Sequence, residues 1–399
     1  MTSWMERESR VMMTTGGRRL KRTIVRGQGA RVWDDEGREY LDFVGGWAVT
    51  NLGHCHPAMV AAIEQQAKTL LIASNDVYTI PQILLAEQLV ARSCLDRVFF
   101  ANSGAEANEG AVKLARKWGK LHRDGAYEVI TARHSFHGRT LAMTAATGKP
   151  EGRIPFEPVP QGFISVEYDD IAALRDATTA TTVAVMLELV QGEGGVHVPR
   201  DGYFEAVREW CDHNKLLLIL DEVQTGFGRL GTLFGYQQFN IEPDIMTLAK
   251  GLGGGVPIGA LMAKQSAAVF TPGDHGTTYG GSPLMCAAAL ASFEYMVEHD
   301  IAAHARSVGG YFKARLERLC ADHPALVHAV RGRGLLLAIE LTEPRALEVA
   351  TTCLDRGLLV NVVPSTQSTL RFMPPLIIGE AEVDAAIGIL DHAIVSQRS

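Results

Sequence analysis

Four short stretches of this 399-residue chain carry residue types that could do chemistry together. In LAKGLGGG (248–255), Lys250 follows an apolar run and precedes four glycines in five residues. A lysine held in an apolar site has a lowered pKa and becomes a nucleophile toward carbonyl carbon. Glycines let the backbone come close to a ligand. In LLLILDEVQTGFGR (216–229), five apolar residues end on Asp221 and Glu222. Ligands of open α/β sheets bind beyond the carboxyl ends of the strands. A desolvated carboxylate there needs a cation or good hydrogen-bond donors, and a protonated ring nitrogen would serve. In FFANSGAEANEGAVKLARKW (99–118), a strand ends at Ala101, Ser103 and Gly104 turn, and a helix begins whose free N–H groups suit a phosphate. In SFHGRT (135–140), Phe136 could stack on a flat ring and Arg139 could clamp a carboxylate.

Each stretch alone admits a plainer reading. The helix could simply be capped by Ser103 or Asn102, and Arg139 could pair on the surface. Asp221 could cap a helix or join a salt bridge, and Lys250 could be solvated beside a flexible turn. Taken together they supply a phosphate site, a ring stacker, a partner for a ring nitrogen and a Schiff-base lysine, all at strand ends. That inventory is what pyridoxal 5'-phosphate requires. Nucleotides fit poorly. Gly251 and Gly253 lack the third glycine of the dinucleotide fingerprint, and no GxxxxGK[ST] is present.

The elements that must position these residues are legible as alternation. RVFFA, YEVIT, VAVMLELV, LLLIL, DIMTLAK and GALMA read as short strands, with helical stretches such as EANEGAVKLARKWGKLH and GYFEAVREWCDHN between them. This predicts an α/β fold with a mostly parallel mixed sheet flanked by helices. Helical spacing is also expected at 58–72, 82–93, 284–320, 344–356 and 380–396, and a hairpin around Asp35–Gly37. LLLAIEL, LLVNVV and LRFMPP add strands of a smaller α+β domain. The expected division is 1–50 as an N-terminal arm and part of the small domain, 51–290 as a large cofactor-binding domain, and 291–399 as a C-terminal small domain.

Composition narrows the class. Hydrophobic residues make up 47% and the net charge is −7. A large core is therefore possible, and with no basic stripe nucleic acid is not an expected partner. No apolar run approaches the roughly 20 residues of a membrane helix. The six cysteines show no CxxC or metal-finger spacing. The N-terminus mixes acids and bases and reads as neither a signal nor a transit peptide. A cytoplasmic protein is expected. His54 and His56 in GHCHP are a weak metal signal, and no metal is expected.

The sequence resembles the class III (subgroup II) aminotransferases of pyridoxal-phosphate fold type I. The resemblance runs from VWDDEGREYLDFVGGWAVTNLGHCHP to LRFMPPLII, with SGAEANE, SFHGRT, DEVQTGFGR, LAKGLGGGVPIGA and GDHGTTYGGSPL between. ELVQGEGGV, VRGRGLLLAIEL and GLLVN make it most similar to the acetylornithine aminotransferases. The resemblance implies that Lys250 carries the cofactor covalently and then moves a proton between substrate and cofactor carbons. Asp221 would pair with the ring nitrogen, Val223 and Phe136 would sandwich the ring, and Gln224 would lie near its phenolic oxygen. Gly104 and Ala105, with Ser103 in the same turn, would bind phosphate. Thr278 would reach the phosphate of the other subunit of a homodimer with shared active sites. Arg139 would grip a substrate carboxylate, and Glu193 with Arg371 would form a switch between amino donor and 2-oxoglutarate. Glu188 would sit near Asp221. Leu189 and Leu230 replace the family's usual proline and threonine and read as packing changes. Trp47 and the Asp76–Val77–Tyr78 segment depart from the pattern near the expected substrate tunnel.

Overall fold

The computed structural model describes residues 3–15, 20–363 and 365–397. The apolar run before Asp221 forms the strand Leu217–Asp221, every residue of which is buried. Such a run settles only where both faces of a sheet are covered. It lies inside a seven-stranded sheet whose order is Arg97–Ala101, Gly259–Ala263, Ile245–Leu248, Leu217–Asp221, Thr182–Glu188, Glu128–Ala132, Phe163–Val166. Gly259–Ala263 is antiparallel to both of its neighbours, and the remaining pairs are parallel. All six other strands therefore end at one edge, and Gly259–Ala263 begins there. The register sets Glu188 beside Asp221, and Asp221 beside Thr247.

Alternate residues of each strand feed two apolar layers. Leu217 and Ile219 join Ala111, Leu114 and Ala115 of the helix Gly104–His122. Leu218 and Leu220 join Phe204, Val207 and Cys211 of the helix Tyr203–Asn214. Each fully buried Leu or Ile contributes roughly 1.5–3 kcal/mol over its exposed state.

Two smaller sheets flank this core. Val327–Arg333, Leu336–Leu341, Thr369–Phe372 and Asn361–Val362 form an antiparallel sheet in that order. Ile24–Gln28, Arg31–Asp34 and Glu39–Asp42 form an antiparallel meander, and Leu358–Leu359 joins it parallel to Glu39–Asp42. The hairpin expected at Asp35–Gly37 is present. Asp34 Oδ1 accepts from the N–H groups of Glu36 and Arg38, and Gly37 takes φ +80°. The long helices fall at Pro283–Glu298, Ile301–Asp322 and Glu380–Val395. Several short elements lie outside the sequence expectation, among them the helices Trp4–Val11, Leu141–Ala146 and Ile171–Ala177 and the edge strand Phe163–Val166. Each is at most eight residues long, too short to show a period. Among the described residues no helix is long and apolar enough to cross a membrane.

The start of Gly259–Ala263 abuts the turn before Gly104–His122. A Cβ on Gly259 would lie 2.3 Å from the Ser103 carbonyl oxygen, which is backbone and cannot swing away. Gly259→Ala is expected to destabilise the fold by about 1–3 kcal/mol, read as a lower midpoint in chemical denaturation. Gly388→Ala lies in the helix Glu380–Val395, where an added Cβ meets nothing within 4 Å. It should stabilise by up to about 1 kcal/mol.

Candidate active site

The common strand edge opens into a cavity of about 540 Å³. Its wall holds residues from all four sequence stretches, including Gly104, Phe136, Asp221 and Lys250.

Asp221 is 4% exposed and held by three donors. Asn108 Nδ2 and His137 Nδ1 each lie 2.8 Å from its Oδ2, and the Val223 N–H donates to its Oδ1 at 3.0 Å. Asn108 is fixed in turn, since Thr247 Oγ1 donates to its Oδ1 at 2.6 Å. Burial pulls the His137 pKa down, but the bond to Asp221 and the charges of Asp221 and Glu188 outweigh it, and the net direction is up. Glu188 accepts from the Phe136 N–H at 3.0 Å. Burial raises its carboxyl to about 7, against the opposing pull of His137.

Lys250 follows Ile245–Leu248 by two residues and has φ +40°. A non-glycine residue in that region is strained and persists only where its surroundings fix it. Asn51 lies beside the next residue, Gly251. Its Nδ2 donates to the Phe227 carbonyl at 2.7 Å, and a Cβ on Gly251 would lie 2.3 Å from that nitrogen. Burial is the largest influence on the Lys250 amine and lowers its pKa, with Glu193 opposing.

The helix Gly104–His122 is capped by Ser103, whose Oγ accepts from the Glu106 N–H at 3.2 Å. The plain reading of Ser103 as a cap is therefore correct, and the first N–H groups after it remain without helical partners. Gly104 is required here, because a Cβ would meet the Val223 methyls at 2.8 Å. Gln224 is buried, and among the described residues neither its Nε2 nor its Oε1 has a partner.

Glu193 also lines the cavity, and Arg371 Nη2 pairs with its Oε1 at 2.7 Å. Arg371 is 1% exposed, does not line the cavity, and donates from Nε and Nη2 to Asn361 Oδ1 at 3.1 and 2.8 Å. Burial alone would raise the Glu193 pKa; Arg371 and then Lys250 outweigh it and hold it low. Arg139 is exposed at the cavity wall, its guanidinium 5.4 Å from the Phe136 ring centroid. Thr278 is exposed and outside the cavity lining of this chain. Trp47, 53% exposed, is also outside it, while Val49 lines it. Leu189 and Leu230 are buried and both pack against Gly235, beside Glu222. Glu222 faces away from the cavity and accepts from the N–H groups of Gly235 and Tyr236. Asn108 was missed from sequence, although a buried amide inside SGAEANE, at a helix position that disfavours asparagine, is a readable signal. His137, in the loop after Glu128–Ala132, finds its hydrogen-bond partner in Asp221.

The aminotransferase class-III family model matches residues 12–394. The chain is 50% identical over 372 residues to the acetylornithine aminotransferase of Caldanaerobacter subterraneus subsp. tengcongensis, covering 93% of this chain and 94% of that one. Two solved structures of Toxoplasma gondii ornithine aminotransferase superpose with TM-scores of 0.94 and 0.92. Each is 32% identical and covers 98% of this chain and 94% of its own. The second has pyridoxal phosphate partially occupying its active site. The cavity fits that cofactor. It offers an amine of lowered pKa, a buried carboxylate with donors around it, unpartnered helix-start N–H groups, and the orphaned amide of Gln224.

Glu188 gives a pH signature. Its folded pKa of about 7 exceeds the ordinary 4.5. Its contribution to stability is therefore fully present below pH 4.5 and is lost as pH rises through 7. Glu188→Gln should remove that loss in the apoenzyme. The variant is expected to gain on the order of 3 kcal/mol on wild type between the two pH limits, measured by urea denaturation. Parallel curves for the two proteins would refute the raised carboxyl.

Proposed function

We propose, since the chain belongs to the class-III aminotransferases, that it moves the terminal amino group of N-acetylornithine, or a close acyl relative, to 2-oxoglutarate, giving a semialdehyde and glutamate. Pyridoxal phosphate, when bound, supplies the electron sink that lets a substrate carbon give up its proton. Lys250 would anchor the cofactor, and its Nζ, once freed from it, would hold and move the proton taken from the substrate carbon. A lowered pKa suits an amine to both directions near neutral pH. Asp221 keeps the ring nitrogen positive, with Asn108 and His137 holding the carboxylate in place. Phe136 and Val223 would bound the ring, Gln224 would serve its phenolic oxygen, and Ser103, Gly104 and Ala105 would cradle the phosphate. Arg139 binds the donor's carboxylate.

The observation that carries the two-substrate reading is the 2.7 Å pair of Glu193 and Arg371. Masked by Glu193, Arg371 makes no demand on the donor's reacting end, which carries no carboxylate. Released, it takes a carboxylate of the keto acid. An aminomutase or racemase needs no such change of partner. N-acetylornithine is the favoured donor on identity to the relative named for it. Ornithine, 4-aminobutyrate and lysine derivatives call on the same machinery. A role in arginine biosynthesis in the cytoplasm belongs to the same reading.

A homodimer that shares its active sites completes the site with Thr278 of each chain. Exposed apolar side chains support it: Leu70, Leu71, Ile72, Val77, Tyr78 and Tyr279. They lie on two segments that Asn75 ties together through the carbonyls of Thr277 and Gly280. Light scattering should give twice the 43.3 kDa chain mass.

The donor is tested in a half-reaction. Purified enzyme is mixed with N-acetylornithine, ornithine or 4-aminobutyrate without keto acid, and the cofactor's visible absorbance is followed. N-acetylornithine should bleach it fastest, and 2-oxoglutarate should restore it. Faster bleaching by either other amine would overturn the donor assignment. Lys250→Ala should lower kcat by at least about 10²–10⁴-fold. Glu193→Gln should raise the donor KM and lower that of 2-oxoglutarate.

A further inference from the structure

A second cleft, of about 780 Å³, lies away from the cavity. Arg306, Lys313, Arg331 and Arg333 line it, and no carboxylate does, although the chain as a whole is acidic. Arg306 and Lys313 are seven residues apart on Ile301–Asp322, two turns along one face. Gly309 and Gly310 lie between them and add no side chains to the cleft. Arg331 and Arg333 stand two residues apart on Val327–Arg333. Thr232, Gln237 and Gln238 add polar groups to the wall.

The cations are only partly neutralised. Arg306 is exposed and has no ion pair or hydrogen bond among the described residues. Lys313 reaches Glu317 only at 3.9 Å. Arg333 meets the fully exposed Asp201 at 3.3 Å, and its guanidinium also lies 4.9 Å from the Phe239 ring centroid. Arg331 pairs with Glu340. The exposed Lys313–Glu317 pair adds little stability. Four cations converging on one cleft match a ligand with several negative oxygens, which guanidinium forks bind bidentately.

The cleft also reaches the switch. Arg331 pairs in register with Ala338, Ala338 with Arg371, and Arg371 with Asn361. Directly paired residues share a sheet face, and neighbouring strands lie about 4.8 Å apart. Arg331 and Arg371 thus stand in one row on one face. They hold the two ends of one short turn, Gly192–Gly195. Arg371 binds Glu193, and Arg331 Nε donates to the Gly195 carbonyl at 3.2 Å.

We infer that this cleft binds a small, multiply charged oxyanion, a polyphosphate or polycarboxylate, and that its occupancy reaches Glu193 through Arg331. An anion that engages Arg331 competes with its bond to Gly195. The turn loosens, and Arg371 is unmasked more readily. The coupling rests on the switch proposed above; the binding does not.

The test titrates cofactor-loaded enzyme with tripolyphosphate in a calorimeter, with citrate as a second arm. Loading keeps the probe out of the cofactor's phosphate cradle. Saturable binding at one site per chain is expected, weakened about tenfold or more by Arg306→Ala and by Lys313→Ala. Tighter binding of either probe identifies which oxyanion class the cleft prefers. No saturable heat with either probe, or binding indifferent to both substitutions, overturns the site. At constant ionic strength a saturating probe should lower the KM for 2-oxoglutarate about fivefold or more, and Arg306→Ala should abolish that shift. Binding with an unchanged KM overturns the coupling and leaves the switch reading to stand on Glu193→Gln.

Discussion

A carboxylate at the end of a strand buried on both faces sets the terms for the rest of the site. Asp221 cannot stay ionised there without donors, because an unpaired buried charge costs far more than one hydrogen bond returns. Its donors come from three places: Asn108 from a helix, His137 from the loop after Glu128–Ala132, and Val223 from its own turn. Asn108 is usable only because Thr247, on the next strand, orients its amide. Asp221 thus ties together the helix, the loop and two adjacent strands. The Asn108 Nδ2 that serves it also donates to the His137 carbonyl at 2.8 Å, so the loop's backbone is pinned by the same residue.

Two further buried charges hold the frame and take no part in the cavity wall. Glu222 is fully buried, and burial raises its carboxyl to about 7 despite the N–H groups of Tyr236 and Gly235. It anchors the loop on which Leu189 and Leu230 pack. Arg229 is fully buried, and burial lowers it to about 9. It donates to the carbonyls of Leu335 and Pro374 and to Asn51 Oδ1, and so joins three distant segments. Removing one partner of such a buried set typically costs about 3–5 kcal/mol. Asn51, held by Arg229, is the residue that crowds Gly251 beside the strained Lys250.

The Glu193 turn is shaped by its neighbours in the same way. It is built from glycines because its neighbours leave no room. A Cβ on Gly192 would fall 1.5 Å from Gln224 Oε1, and one on Gly194 would fall 2.8 Å from the His134 carbonyl. The turn is held by side chains from a different sheet, so its position depends on how that sheet docks.

The chain by itself determined the strand–helix alternation, because buried parallel strands and amphipathic helices have different apolar periods. It also determined the residue types that a pyridoxal-phosphate site needs, because Lys250, Asp221 and the Ser103–Gly104 turn each follow an apolar run. Short elements such as Phe163–Val166 and Ile171–Ala177 were not legible, since too few residues carry the period. Tertiary structure alone decided which groups face each other. Asn108 and Asp221 are 113 positions apart, Arg371 and Glu193 178, and no local pattern encodes either meeting. The row from Arg331 to Arg371 exists only through the register of three strands. Chemistry is written in residue type and local spacing, whereas pairing is written in the sheet order and in the cost of leaving a buried charge alone.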